Sequence, residues 1–330
     1  KGEKSRFLSD FLLEQLTENL KRKETALLIL NRRGYSNAYY CLNCGAYAKC
    51  KKCGAILARE NTPEKGDRLV CKKCGHTEGL DQKCPQCQNL IFKSRGGGTQ
   101  KIVTELSKLF PKAHLLRLDS DTLKTKAGQG FEALNALKSG SADIIVGTRL
   151  ASGALRGAKV TLAAVLDAEL ELDSPDFRAS EKYGQMLFSL RGHLSGVADG
   201  RLIIQAADKE AYDYSPLLAG DYAAAAETEM LLRESFLYPP FVRLIKVLIK
   251  AKETDLLNAE TARIKRLGAG KALEVLGPVW CAKKTDVLKK QYLLFKTDEA
   301  RWLDLLASLD AFAPAKKATV KVSADPYDFY

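Results

Sequence analysis

Apolar residues recur at helical spacing near the start of the chain. Phe7, Leu8, Phe11, Leu12, Leu16 and Leu20 predict an amphipathic helix over residues 7–22, with Ser9 or Asp10 as its cap. The next apolar stretch, 26–30, is continuous rather than periodic, the pattern of a strand buried on both faces. Past residue 95 the two patterns alternate. A glycine loop over 95–99 leads to a helix over 100–110 with Ile102, Val103, Leu106 and Leu109 on one face. Strands are predicted at 113–118, 142–146, 160–166 and 201–206, and helices at 131–138 and from Arg178 to about Leu190. Strands alternating with helices imply a parallel sheet joined by right-handed crossovers. The last third reads differently: helix 221–234, strand 241–249, helix 255–267, strands 273–276 and 292–295, helix 300–309 and strand 319–322, an α+β order.

Eight of the nine cysteines interrupt this rhythm as four Cys-x-x-Cys knuckles: Cys41/Cys44, Cys50/Cys53, Cys71/Cys74 and Cys84/Cys87. Two thiolates three positions apart on a tight turn can face one metal ion, and two such turns complete a tetrahedral sulfur cage. Four knuckles therefore predict two Zn²⁺ sites. Gly45, Gly54 and Gly75 each follow the second cysteine of a knuckle, where positive φ is often needed. Disulfides are the competing reading. They need an oxidising compartment, whereas the polar start Lys1-Gly2-Glu3-Lys4 shows no secretory pattern, so a cytoplasmic chain is expected. Spacing leaves the pairing of knuckles open but suggests a nested one. The first two knuckles are joined by a short link, while 54–70 between the second and third is long enough for a hairpin-like excursion. Cys50, Cys53, Cys71 and Cys74 would then hold one ion, and Cys41, Cys44, Cys84 and Cys87 the other. His76 is read as a bystander and Cys281 as a small apolar residue.

At 330 residues with 46% hydrophobic content, the chain supports two or three domains and has no apolar run long enough to span a membrane. The formal charge of +12 points to an anionic partner, nucleic acid first. Eight thiolates with two Zn²⁺ would lower it to about +8. Lysines beside the knuckles, Lys49, Lys51, Lys52, Lys72 and Lys73, serve equally as counter-charges to thiolates or as phosphate contacts. Open α/β sheets bind ligands beyond the carboxyl ends of their strands. Gly98-Thr99, Asp119, Asp121, Gly147-Thr148-Arg149, Asp167 and Arg191-Gly192-His193 are expected at or shortly beyond such ends. No G-x-x-x-x-G-K-[ST] phosphate loop occurs in the sequence, and three scattered histidines offer no triad. Lys289 and Lys290 are readable as phosphate contacts or as a solvated loop.

Several motifs in order resemble the PriA (primosomal protein N′) family of replication-restart helicases. They are Leu30-Asn31-Arg32-Arg33-Gly34-Tyr35, the four knuckles, Gly98-Thr99, and Arg117-Leu118-Asp119-Ser120-Asp121-Thr122. Ile144-Ile145-Val146-Gly147-Thr148, Leu166-Asp167 and Asp176-Phe177-Arg178-Ala179 continue the match, as do Tyr238-Pro239-Pro240, Leu276-Gly277-Pro278 and Asp325-Pro326. The resemblance covers the whole chain and the C-terminal half of the family's length.

The resemblance implies an α/β fold: a RecA-like second helicase lobe over 1–38 and 91–210, a two-zinc, eight-cysteine insertion over 39–90, and an α+β domain over 211–330. It implies the nested zinc connectivity. It also implies an ATP-dependent 3′–5′ DNA helicase, with forked or single-stranded DNA, primosome proteins and single-strand-binding proteins as partners and no membrane. Gly98, Thr99, Thr148, Arg149, Lys51 and Lys52 are the expected DNA contacts, and Arg191 and Gly192 the expected nucleotide contacts. The family's first lobe, with its Walker A lysine and Asp-Glu-x-His motif, has no counterpart in these residues, so ATP and Mg²⁺ enter only with such a lobe. The last helicase motif is eroded: Ser189-Leu190-Arg191-Gly192-His193-Leu194-Ser195-Gly196 carries His193 and Gly196 where the family has arginines. Ser152 stands where the family has lysine. Losing finger arginines costs orders of magnitude in phosphoryl transfer, so this chain is expected not to hydrolyse ATP. A catalytically inactive, helicase-derived scaffold for protein interactions is the alternative.

Overall fold

The computed structural model describes residues 8–30, 38–52, 54–62, 66–71, 76–80, 83–95, 98–119, 122–123, 128–174, 176–206, 209–280 and 288–327, and the structural statements here concern those residues. Asn31–Tyr35, Cys53, Lys72 to Gly75 (with Cys74), Gly96-Gly97, Ser120-Asp121 and Cys281 lie outside them. Two compact units emerge. One comprises Lys1–Ala48, Asp81–Ser174 and Arg178–Ala225, the other Lys49–Leu80, Pro175–Phe177 and Ala226–Tyr330.

In the first unit α1 (Asp10–Lys21) starts at Ser9, whose hydroxyl accepts the Leu12 N–H, and buries Leu12 and Leu16. β1 (Thr25–Leu30) is buried at every position. The reason is topological: β1 is the middle strand of a parallel sheet. β2 (Ala38–Cys41) leads into the knuckles, and in the second unit β3 (Leu57–Thr62), β4 (Gly66–Cys71) and β5 (Thr77–Glu78) form an antiparallel meander. β6 (Phe92–Arg95) returns to pair antiparallel with β2.

Then follow α2 (Thr99–Leu109), β7 (Leu115–Leu118), α3 (Gln129–Ser139), β8 (Ile144–Gly147), α4 (Arg149–Ser152), β9 (Val160–Leu166), α5 (Ala168–Leu172), α6 (Ala179–Ser195) and β10 (Arg201–Ile204). The sheet order is β10-β9-β1-β8-β7, every pair parallel. Alternate residues of β1 feed two apolar clusters: Leu27 and Ile29 join α3 and α6 residues, while Ala26, Leu28 and Leu30 join α1 and α2 residues. The α/β class with a parallel sheet is therefore as the patterning implies. Leu109 is a correction to the periodic reading. It is exposed in the last turn of α2, outside the cluster that holds Ile102 and Leu106.

Two helices, α7 (Ser215–Ala219) and α8 (Tyr222–Ser235), precede the last third of the chain. There β11 (Arg243–Ala251), α9 (Thr254–Ala269), β12 (Glu274–Trp280), β13 (Lys289–Thr297), α10 (Glu299–Asp310) and β14 (Ala318–Ala324) follow in order. This βαββαβ run makes one antiparallel sheet, β12-β13-β11-β14, the ferredoxin-like arrangement. Ile245, Val247, Ile249, Leu293 and Phe295 pack on α9 and α10. Leu244, Tyr292 and Leu294 lie on the other side, where Tyr238 and Phe177 stack with 4.9 Å between ring centroids. β11 is shifted two residues from its expected bounds, and β13 runs longer than its apolar pattern suggests, because Lys290 and Lys296 occupy strand positions.

Candidate metal centre and nucleic-acid edge

The first and fourth knuckles meet. The Sγ atoms of Cys41, Cys44, Cys84 and Cys87 all lie within 4.8 Å of one another. Cys41 Sγ stands 3.5 Å from Cys87 Sγ, and Cys44 Sγ 3.5 Å from Cys84 Sγ. A disulfide requires about 2.05 Å. Four sulfurs at about 2.3 Å from a tetrahedral ion lie about 3.8 Å apart, so the cluster fits a thiolate-bound ion. β2 and β6 set this geometry, since Cys41 pairs with Phe92 and Leu42 N–H donates to the Ile91 carbonyl at 2.9 Å.

Each knuckle closes the same way. Cys41 N–H donates to the Ala46 carbonyl and Cys84 N–H to that of Asn89, while Gly45 N–H and Gln88 N–H donate back to the Cys41 and Cys84 carbonyls, all at 2.8–3.0 Å. The turn forces the fifth residue left-handed. Gly45 takes φ +79°, and Gln88 takes φ +58° with no glycine to ease it. As bare thiols Cys44 and Cys87 differ. Burial pushes the Cys44 thiol up to about 12, whereas a hydrogen bond from the Asn43 side chain holds Cys87 down at about 6.

In the second unit Cys50 N–H donates to Ala55 O and Cys71 N–H to His76 O, both at 2.8 Å. Gly54 has φ +73° and its N–H returns to Cys50 O. Cys50 thus begins a turn like that at Cys41, Cys71 N–H makes the same kind of bond five residues on, and Cys53 and Cys74 lie outside the described residues. The carboxylate of Glu78, which sequence reading missed, accepts the Lys51 N–H at 3.0 Å, and its other oxygen is 3.7 Å from Lys51 Nζ. His76 Nε2 is 3.5 Å from the same carboxylate. Lys51 faces Glu78 while its side chain stays exposed, and Lys52 is exposed as well.

Four of the six residues expected to touch DNA come together at the carboxyl edge of the parallel sheet. Gly98 caps α2 with no side chain bonded there and no acid in the first turn. Thr99 is 1% exposed, and its hydroxyl donates to buried Asp119 at 2.5 Å, just past β7. Any contact from residue 99 would therefore come from its backbone. Arg117 braces the same carboxylate at 3.2 Å. Thr148 N–H donates to the Leu118 carbonyl at 3.2 Å. Gly147 is required between them, because a Cβ there would stand 2.7 Å from Ala151 Cβ and 2.9 Å from Leu118 O. Arg149 Nη1 pairs with Glu171 Oε1 at 2.8 Å, a partner that no spacing in the sequence announced. Asp167 follows β9 with φ +52°.

Arg191, Gly192 and His193 are corrected. They are not at a carboxyl end but inside α6, which runs antiparallel to the strands and continues five residues beyond its expected end. His193 Nε2 is 3.2 Å from the Val160 carbonyl, at the first residue of β9 and hence the opposite, amino edge of the sheet. The Arg191 guanidinium lies against Gly220, within 2.6 Å of where a Cβ would stand.

Fold and site together define a class: an α/β protein whose parallel-sheet unit carries a cysteine-knuckle ribbon able to hold a metal ion, followed by a ferredoxin-like sheet. The primosomal protein N C-terminal domain family matches residues 234–327. The replication restart protein PriA of Bacillus subtilis is 34% identical over 281 residues, 84% of this chain and 34% of that protein. PriA of Chlamydia trachomatis is 31% identical over 303 residues, covering 89% of this chain and 40% of its own. PriA of Chlamydia muridarum is 30% identical over 337 residues, covering 99% and 44%. The chain belongs to the PriA family, and it spans between about a third and somewhat under half the length of these relatives. Among the described residues no helix is long and apolar enough to cross a membrane.

Proposed function

We propose that this chain serves replication restart by binding branched or single-stranded DNA, with its parallel-sheet unit acting as a RecA-like second helicase lobe. One observation carries the reading: Gly98, Thr99, Thr148 and Arg149, far apart in sequence, converge on the carboxyl edge of one sheet. An α2 start without a side-chain cap suits phosphate oxygens, as does the Arg149 guanidinium on the same sheet edge, and such contacts position a protein on nucleic acid without reading sequence. Primosome and single-strand-binding proteins are the proposed protein partners.

Two Zn²⁺ ions form part of this reading. Cys41, Cys44, Cys84 and Cys87 would hold one; Cys50, Cys53, Cys71 and Cys74 would hold the other, supported by the knuckle turn at Cys50 and by the Cys71 N–H bond to the His76 carbonyl. Each ion would supply folding free energy to a ribbon too small to keep a core of its own. ATP and Mg²⁺ belong to the reading only together with a first lobe.

A second reading, a catalytically silent scaffold, is favoured by the eroded motif. His193 is engaged with the Val160 backbone carbonyl at the amino edge of the sheet, and the Arg191 guanidinium lies against Gly220. Fluorescence anisotropy with forked DNA separates the two. Under the first, Arg149→Ala weakens binding alike for unrelated sequences and reduces the salt slope by about 1. No measurable fork binding by the unaltered chain would leave the scaffold.

A further inference from the structure

The two edges of the ferredoxin-like sheet are treated differently. β12 is spoiled as a docking edge, because Pro278 lacks an N–H and its register breaks between Leu276 and Val279. β14 has neither device. Its seven residues, Ala318 to Ala324, pair with β11 without a register shift. Asp325 N–H donates to Leu244 O at 2.8 Å, continuing that register. Residues 319, 321 and 323 therefore turn their backbone groups toward β11, as 325 does. Val320, Val322 and Ala324 turn theirs outward, where no strand pairs among the described residues.

Side chains sort by face. Val320 and Val322 pack toward the helices. Thr319, Lys321 and Ser323 lie on the helix-free face, where Lys250 is aligned with both Lys290 and Thr319, and Leu248 with Lys321. Lys316 and Lys317 lead into the strand and are exposed. Asp325, the acid at its far end, is held by Arg243 at 2.6 Å. The open edge is thus rimmed by cations.

From this edge and its charge we infer that β14 docks an extended, acidic peptide segment of a protein partner by strand addition. Main-chain hydrogen bonds to Val320, Val322 and Ala324 would give affinity, and carboxylates beside Lys321 would give selectivity. A second copy of the chain fits less well. Antiparallel self-pairing over the full strand sets Lys321 opposite Lys321, and like charges directly opposite are destabilising. Single-stranded nucleic acid fits less well too, because Tyr292, the aromatic at the centre of this face, is only 5% exposed and offers no surface for stacking.

The test uses the whole chain and a fluorescent nine-residue peptide, Gly-Glu-Val-Glu-Val-Glu-Val-Glu-Gly, blocked at both ends. Saturable binding is expected, at least tenfold weaker for Lys321→Glu. A peptide of the same charge, N-methylated at alternate residues, should also bind at least tenfold more weakly, since it has lost main-chain donors while the protein is untouched. Equal binding of the methylated and unmodified peptides would mark a general polyanion site and overturn the inference. A concentration-dependent dimer abolished by Val322→Pro would overturn it in favour of a second copy.

Discussion

At the scale of single residues, two thiols of the described cluster, Cys87 and Cys44, are inequivalent before any metal arrives. Cys87, with Asn43 donating to it, titrates near 6, and Cys44 near 12. The sign follows from linkage. A thiol whose folded pKa lies below its ordinary value of 9.0 favours the folded state as thiolate above that value, and loses this as pH falls through about 6. In metal-stripped protein at pH 7.5, with β2 and β6 shown by amide exchange to be still paired, iodoacetamide should therefore modify Cys87 before Cys44, with a rate that falls through about pH 6, as peptide mapping would show. Faster modification of Cys44 would contradict it. Arg149 gives a second prediction. Its pairing with Glu171 competes with phosphate, so Glu171→Gln should strengthen fork binding severalfold while Arg149→Ala weakens it. Neither Glu171 nor Asn43 could be picked out in advance, because both act through contacts across a fold rather than through a motif.

At the scale of elements, legibility tracked how directly a pattern encodes its environment. The unbroken apolar run of β1 announced a central strand, and Val160 to Leu166 was bounded correctly for the same reason. The knuckles were legible because thiolate spacing and the glycine after it report one turn, seen at Gly45 with φ +79°. Gly45→Ala should cost about 1 kcal/mol of folding stability in chemical denaturation, since a Cβ disfavours that region. Leu28→Ala, in the middle of the sheet, should cost about 2–5 kcal/mol. Less was legible where polar residues sit inside strands. Lys246 and Lys296 are buried, the latter bonded to the Phe236 carbonyl at 2.7 Å and to Glu274 at 2.7 Å. Lys290 and Lys296 shortened the strand read at 292–295, whereas the βαββαβ order itself was legible in the patterning. The end of α6 was misjudged because its last turn mixes Arg191, Gly192 and His193 with buried Leu190 and Leu194.

At the scale of the whole molecule, the account joins three things: PriA family membership, thiolate turns suited to metal, and a sheet edge suited to phosphate. The family resemblance carried most of the functional reading, and four of the six expected DNA contacts lie at the carboxyl edge of the parallel sheet, while Arg191 and Gly192 lie inside α6. The most direct test is the affinity of the 330-residue chain for forked DNA, followed by anisotropy from low to physiological salt. Contacts to several phosphates predict that log affinity falls linearly with log salt, losing about 0.9 per phosphate contacted. A slope of about −3 or steeper is the predicted result. A flat slope, or no binding at low salt, would contradict the account.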